Sequence, residues 1–172
     1  MAIPNKLQMI STLFKLLFIL LSFVIFKQDS KDREVYWFLY PLTSIASIVL
    51  QLTYCQTWIT FINIGINLTL VVVMLFTNWL YVLLIMKKRR FINEVIGTGD
   101  ILFLLCLTTT FATIAFTVVL IFSMLFSLLL HIFMKDKSRH ATIPLAGYMA
   151  LFFSGIYIIS FISSFNDLLY SM

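Results

Sequence analysis

The chain has 172 residues, of which 62% are hydrophobic and 11% are charged, and its net charge at pH 7 is +5. Soluble domains are about 45–50% apolar and about 25% charged, so a soluble globule could not bury this much apolar surface. The charged residues lie in short segments between apolar stretches, which indicates membrane topology and not nucleic-acid binding. The composition therefore predicts an all-α, polytopic membrane protein in contact with lipid.

Long apolar spans follow one another along the chain. A membrane-spanning helix needs about 20 mostly apolar residues. The first span ends before a dense polar segment, and no small-residue cleavage site follows it, so we interpret it as a retained helix and not a signal peptide. Four spans of sufficient length cover residues 7–26, 36–54, 58–86 and 142–164.

The apolar run at residues 101–134 is too long for one spanning helix. Its 34 residues would extend about 51 Å as a single helix, well beyond a hydrocarbon core of about 30 Å. Two helices joined by a turn fit better, and the threonine-rich segment at residues 108–113 is the predicted break. The chain then has six transmembrane helices in a single domain, residues 1–172.

Basic residues predict how the six helices are oriented. Ten of the twelve lysines and arginines lie in the segments 27–35, 87–90 and 135–140. A six-helix topology places all three segments on one side, and the positive-inside rule makes that side cytoplasmic. Both termini are then outside, and the predicted location is the inner (cytoplasmic) membrane.

The segment Gly97-Thr98-Gly99-Asp100 lies between a basic run and an apolar run. A carboxylate beside a hydrocarbon segment is costly, so Asp100 is a candidate functional residue. We expect Gly97 and Gly99 to supply loop flexibility and to let a substrate backbone approach closely. The ordinary alternative for Asp100 is the capping of a helix.

A second acidic candidate, Asp29, follows the first span. In the predicted topology Asp29 and Asp100 reach the same cytoplasmic interface from different helices. Two carboxylates held close together share a proton, as aspartic protease chemistry requires. The alternative for Asp29 is a solvated ion pair with the neighbouring Lys27, Lys31 or Arg33.

Three motifs resemble a family of membrane aspartic proteases, the type IV prepilin and archaeal preflagellin peptidases. Gly97-Thr98-Gly99-Asp100 is similar to the family's Gly-x-Gly-Asp motif. The segment Asp29-Ser30-Lys31-Asp32-Arg33 resembles its other catalytic motif and aligns Asp29 with the catalytic position, although Tyr36 stands where proline is usual. The Ile143-Pro144 pair resembles a later motif, in which Ile-Pro opens a helix packed near the site.

The resemblance implies an aspartic endopeptidase with Asp29 and Asp100 as the catalytic pair and no cofactor. The family cleaves the short basic leader of pilin-like precursor proteins on the cytoplasmic side of the membrane. This chain has no paired-cysteine domain of the kind that methylates the new N-terminus in many bacterial members. It resembles the short, peptidase-only form, so methyltransferase activity is not expected.

A non-catalytic membrane protein, such as a transporter subunit or an assembly scaffold, is the alternative function. His131 and His140 lack the helical spacing of a metal-binding pair, and no metal site is predicted.

Asn63 and Asn67 are four residues apart in the third span. We expect them to hydrogen-bond to neighbouring helices, with a route for substrate or water as the alternative. Asp167 has no assigned role.

Overall fold

The computed structural model describes residues 5–31, 34–86, 96–134, 144–162 and 165–170. These residues form seven α-helices: α1 (Asn5–Lys31), α2 (Leu39–Tyr54), α3 (Thr57–Tyr81), α4 (Thr98–Leu107), α5 (Thr113–Met134), α6 (Leu145–Ile162) and α7 (Phe165–Tyr170). A π-helical turn, Val82–Met86, continues α3. The basic runs at 87–90 and 135–140 and the residues Ile143, His140 and Asp167 lie outside the described residues or side chains.

The prediction of an all-α membrane protein is confirmed. Within the described part of the chain, α1, α3 and α5 are long and apolar enough to cross a membrane. The helices α2, α4 and α6 are apolar but shorter. Large apolar side chains remain exposed on the outer faces, including Leu16, Leu20 and Phe23 on α1. Such a surface suits contact with lipid.

Helices α1, α2 and α6 form the centre of the bundle, because α1 packs against both of the others. Phe111, Phe153 and Tyr157 pack their rings together in the core, with Phe111 centred 5.9 Å from Phe153 and 5.2 Å from Tyr157. All three side chains are fully buried. Since α1 runs antiparallel to α2 and α6, its C-terminal end lies beside the first turns of both.

The predicted break between two helices in the run 101–134 is confirmed. Helix α4 ends at Leu107, and the turn at residues 108–112 is buried before α5 begins. A turn buried inside a membrane protein must have its backbone groups satisfied by protein. The Asn67 side chain donates to the carbonyl oxygens of Thr108 and Phe111, both at 3.0 Å. The Ala112 N–H donates to the Leu169 carbonyl oxygen of α7 at 3.1 Å.

Asn63 also bonds between helices, since it accepts a hydrogen bond from the Thr113 hydroxyl at 3.1 Å. The prediction of a bond to a neighbouring helix is therefore confirmed for Asn63, whereas Asn67 bonds to the turn between α4 and α5. The two asparagines fasten α3 to the buried turn and to the start of α5. The turn between α4 and α5 contains no glycine or proline. It is stabilised by these hydrogen bonds from other helices.

The other end of the bundle holds a buried lysine. Lys15 of α1 is 3% exposed, and its ammonium donates to the Asn166 side-chain oxygen at 2.6 Å and to the Ser160 carbonyl oxygen at 3.4 Å. It also lies 5.6 Å from the ring centre of Tyr54 and 5.2 Å from that of Phe161. Ser160 belongs to the last turn of α6, whose exposed carbonyls attract a cation. Lys15 therefore closes the end of the bundle away from Asp29.

Candidate active site

The sequence predicted that Asp29 lies in a loop after the first span. In the structure Asp29 lies in the last turn of α1. Its side chain is only 8% exposed, and Oδ2 accepts a hydrogen bond from the Gly147 N–H at 2.6 Å. Asp29 is therefore buried on α6 and not solvated as the ion-pair alternative expected, and Arg33, one of the bases named there, lies outside the described residues. The helix continues past the end of the apolar span because Asp29 packs against α6.

Asp100 is the third residue of α4, and its side chain is half-buried. Its Oδ1 accepts a hydrogen bond from the Ala146 N–H at 2.8 Å. The sequence placed Gly97–Asp100 in a loop, whereas Thr98, Gly99 and Asp100 form the first helical turn. A carboxylate in a first turn is favoured by the helix dipole. This one also reaches across to the first turn of a second helix.

The structure brings Asp29 and Asp100 together on consecutive amides of α6. The nitrogens of Ala146 and Gly147 are about 3 Å apart in a helix. With hydrogen bonds of 2.8 Å and 2.6 Å, the two bonded carboxylate oxygens are no more than about 9 Å apart. Residues separated by 71 positions in the sequence therefore meet at one point where α1, α4 and α6 converge.

The first turn of α6 can hold two carboxylates because its amides are unused by the helix itself. The first four N–H groups of an α-helix have no carbonyl partner within the helix, and the positive end of the helix dipole lies there. Pro144 directly precedes the helix and has no N–H of its own. The family resemblance implied that the Ile-Pro pair opens a helix near the site. Pro144, the described residue of that pair, directly precedes α6.

Gly147 is required by the close approach of α1 to α6. A Cβ atom at this position would lie 3.0 Å from Asp29 Oδ2, 3.1 Å from Asp29 Cβ and 3.4 Å from the Phe26 Cα. Contacts this short would require Asp29 and the last turn of α1 to shift by a few tenths of an ångström. Gly147 therefore lets the last turn of α1 lie directly on the first turn of α6.

The two glycines of the Gly-x-Gly-Asp motif also make room, but for different groups. Gly97 precedes α4 with φ −68° and ψ 146°, a conformation open to any residue. A Cβ on Gly97 would lie 3.2 Å from Asp100 Oδ2, and a Cβ on Gly99 would lie 2.9 Å from the Tyr40 hydroxyl oxygen. The structure thus gives both glycines a steric reason in place of loop flexibility. Close approach of a substrate at Gly97 and Gly99 stays a prediction.

Tyr40, on the first turn of α2, and Gly147 belong to the site but were missed as site residues in the sequence. Tyr40 lies inside an apolar span with no motif around it, so no signal in the sequence identified it. Gly147 follows the Ile-Pro pair by three positions. A glycine in the first turn of a helix was the available signal for a close approach there.

The arrangement supplies two acid–base groups of the same chemical type from separate, rigid helices. Adjacent backbone amides orient them, so neither carboxylate depends on a flexible loop for its position. Within the described residues, no group of three or more His, Cys, Asp or Glu side chains could hold a metal ion. Two carboxyl groups held this close together can act as a proton donor and a proton acceptor.

Comparison of the chain with models of protein families, with curated proteins and with solved structures finds no match.

Proposed function

We propose that this protein is a membrane aspartic endopeptidase of the prepilin peptidase type, with Asp29 and Asp100 as its catalytic pair. The observation that carries the proposal is the binding of both carboxylates to adjacent amides of α6. The three motifs of the family resemblance come from distant parts of the sequence. Their described residues lie at the point where α1, α4 and α6 converge, which is the geometry that a shared catalytic function requires.

The chemistry follows from the properties of two neighbouring carboxyl groups. One ionised carboxylate takes a proton from a water molecule, whose oxygen attacks the carbonyl carbon of the scissile peptide bond. The other, protonated carboxyl group gives its proton to the carbonyl oxygen. The tetrahedral intermediate then loses the C–N bond. The leaving nitrogen takes up the proton gained by the first carboxylate, and the hydroxyl formed from the carbonyl oxygen returns its proton to the second carboxylate as the C=O bond re-forms.

The proposed substrate is a pilin-like precursor, in which a short basic leader precedes an apolar helix. Such a helix would lie in the bilayer and present its leader at the cytoplasmic interface. Asp100 is only half-buried and is therefore the more accessible carboxylate to an approaching peptide. Asp29 is buried and is anchored on α6.

The test is cleavage of a purified pilin-like precursor by the protein in detergent, with the products identified by mass spectrometry. Asp29→Asn and Asp100→Asn are each expected to abolish cleavage, because an amide cannot take up or give the required proton. Asp32→Asn is the matched control, since Asp32 lies three positions from Asp29 but outside the aligned catalytic position. Full activity in the Asp29→Asn protein would remove Asp29 from the mechanism.

The non-catalytic alternative draws on the same hydrogen bonds. Carboxylates at a helix N-terminus are ordinary capping groups, and here they join three helices, as a scaffold or a transporter subunit would need. In that case Asp29→Asn and Asp100→Asn would lower thermal stability in detergent, and the unaltered protein would cleave no precursor. Cleavage by the unaltered protein and its loss in folded variants separates the two functions.

A further inference from the structure

The hydroxyl group of Tyr40 is buried against the first turn of α4, the turn that carries Asp100. Tyr40 is the second residue of α2, and its side chain is 4% exposed. Its hydroxyl oxygen has no hydrogen-bond partner within the part of the chain that the structure describes. Buried hydroxyl groups are nearly always paired, because an unpaired one destabilises the fold. This hydroxyl therefore calls for an explanation.

Its location points to the catalytic pair. The hydroxyl oxygen lies 2.9 Å from the position that a Cβ of Gly99 would occupy, and Gly99 is next to Asp100 in the first turn of α4. The Tyr40 ring packs on the ring of Phe103 in α4, with the ring centres 6.3 Å apart. This contact holds the Tyr40 ring against α4.

The glycine at position 99 is what permits this placement. Any larger residue there would fill the space that the hydroxyl occupies. A glycine in the first turn of a helix costs stability relative to alanine. The sequence thus accepts two unfavourable features, a helical glycine and a buried unpaired hydroxyl, at one point beside Asp100. Function accounts for both if the hydroxyl binds the substrate.

We propose that Tyr40 is a third catalytic residue, whose hydroxyl donates a hydrogen bond to the oxygen of the scissile carbonyl. The inference rests on the proposed peptidase function. As water adds to the carbonyl carbon, that oxygen becomes a stronger hydrogen-bond acceptor, and a fixed donor stabilises it most at that stage. Tyr40 keeps its proton throughout, and the two aspartates carry out the proton transfers. The ligand of the hydroxyl is thus a peptide carbonyl in an extended substrate backbone.

Tyr40→Phe tests the proposal, because it removes the hydroxyl and leaves the ring. We expect kcat for precursor cleavage to fall about 100-fold, the order found when one donor to such an oxygen is removed. The KM is expected to stay within about twofold, since the bond strengthens only as the reaction proceeds. The thermal unfolding temperature should stay the same or rise, because an unpaired buried hydroxyl is lost.

Tyr157→Phe is the matched control. Tyr157 is also fully buried, but it lies ten residues after Gly147 on α6, about 15 Å further along the helix. Its substitution is expected to leave kcat unchanged. Equal kcat values for the Tyr40→Phe protein and the unaltered protein would overturn the role of Tyr40, while the loss of cleavage in Asp29→Asn would still support the proposed function.

A second measurement uses binding in place of turnover. A peptide with a hydroxyethylene group at the scissile position carries a hydroxyl where the intermediate has its oxygen. The Tyr40→Phe protein should bind this peptide at least tenfold more weakly than the unaltered protein does, and equal affinity would contradict the inference. An unaltered protein that neither cleaves the precursor nor binds this peptide would overturn both the inference and the proposed function.

Gly99→Ala examines the placement of the hydroxyl itself. The new methyl group would meet the Tyr40 hydroxyl oxygen at 2.9 Å, but the next ring atom lies 4.0 Å away. Gly99→Ala alone should lower the unfolding temperature, and adding Tyr40→Phe should restore it. An equal loss of stability with and without the hydroxyl would show that the hydroxyl does not occupy this space.

Discussion

Gly147 is the residue on which the contact between α1 and α6 depends. It has no side chain to hold the helices apart, and its N–H donates to the Asp29 carboxylate at 2.6 Å. The same residue therefore supplies both the space and the hydrogen bond that position Asp29. In a membrane protein, helices that approach this closely characteristically carry small residues at the contact.

Gly147→Ala is expected to disrupt the site by steric conflict. The new methyl group would lie about as far from Asp29 as a hydrogen-bonded atom, 3.0 Å from Oδ2. Overpacking of this kind costs about 1–3 kcal/mol, and we expect precursor cleavage to fall at least tenfold as Asp29 moves. Cleavage rate and thermal unfolding in detergent are the measurements.

Gly155→Ala, in the same helix, is the control for that substitution. No described atom lies within 4 Å of the position that its Cβ would take. Alanine is a better helix former than glycine by about 1 kcal/mol, so this variant should be as stable as the unaltered protein or more so. Similar losses in both glycine variants would indicate a general effect on α6 and not a conflict with Asp29.

The turn at residues 108–112 determines how α4 presents Asp100. Because the chain reverses there, α4 is only 10 residues long, and its start rests on α6 while its end rests on α3. The length of the apolar run was enough to predict the break, since no single helix of that length fits a bilayer. The contacts that stabilise the break come from Asn67, 41 positions from Thr108, and only the fold reveals them.

Asn67→Leu should destabilise the turn. It removes the two donors that satisfy the buried carbonyls of Thr108 and Phe111. An unsatisfied buried acceptor costs about 1–3 kcal/mol, so thermal or denaturant unfolding in detergent should show a loss of that order. Precursor cleavage should fall as well, because α4 carries Asp100.

Asn78→Leu provides the comparison for this variant. Asn78 lies further along α3 on an exposed face, and its side chain donates only to the Met74 carbonyl of its own helix, at 2.9 Å, among the contacts that the structure describes. Its replacement should change stability by less than about 0.5 kcal/mol. A loss as large as that of Asn67→Leu would contradict the role assigned to the buried turn.

The end of α1 shows where reasoning from the sequence fell short. The predicted span ended at residue 26 because the next residues are polar, but the helix extends to Lys31. Lysine and glutamine are good helix formers, and the buried contact of Asp29 with α6 fixes the added turn. Polarity marks the edge of the hydrocarbon region, whereas tertiary contact sets the end of the helix. The short helix α7 was missed because six residues carry too little periodicity to be recognised.

At the scale of the molecule, the predicted helices form one bundle in which α1 and α6 are central. The order of the spans, the break in the run 101–134 and the meeting of Asp29 with Asp100 could all be predicted from the sequence. The amides that hold the aspartates could not, because backbone N–H groups carry no signature in a sequence. Which side of the membrane faces the cytoplasm stays a prediction from the distribution of basic residues.

Labelling with a membrane-impermeant maleimide tests that orientation. The starting protein is the Cys55→Ser, Cys106→Ser variant, which has no cysteine. One labelling variant carries Glu34→Cys, between α1 and α2, and the other carries Gln56→Cys, between α2 and α3. Both positions are exposed, and α2 separates them. In intact cells the Gln56→Cys protein should be labelled, and the Glu34→Cys protein only after lysis. The reverse pattern would place the aspartates on the outer side.

The central claim is that Asp29 and Asp100 act as one catalytic unit, and the most direct test is precursor cleavage by the two single Asp→Asn variants and the double variant. Groups that act as a unit are strongly non-additive, so removing both should cost no more than removing either. We predict the same background rate in all three folded variants. Substantial cleavage by either single variant, with a further loss in the double variant, would contradict the claim.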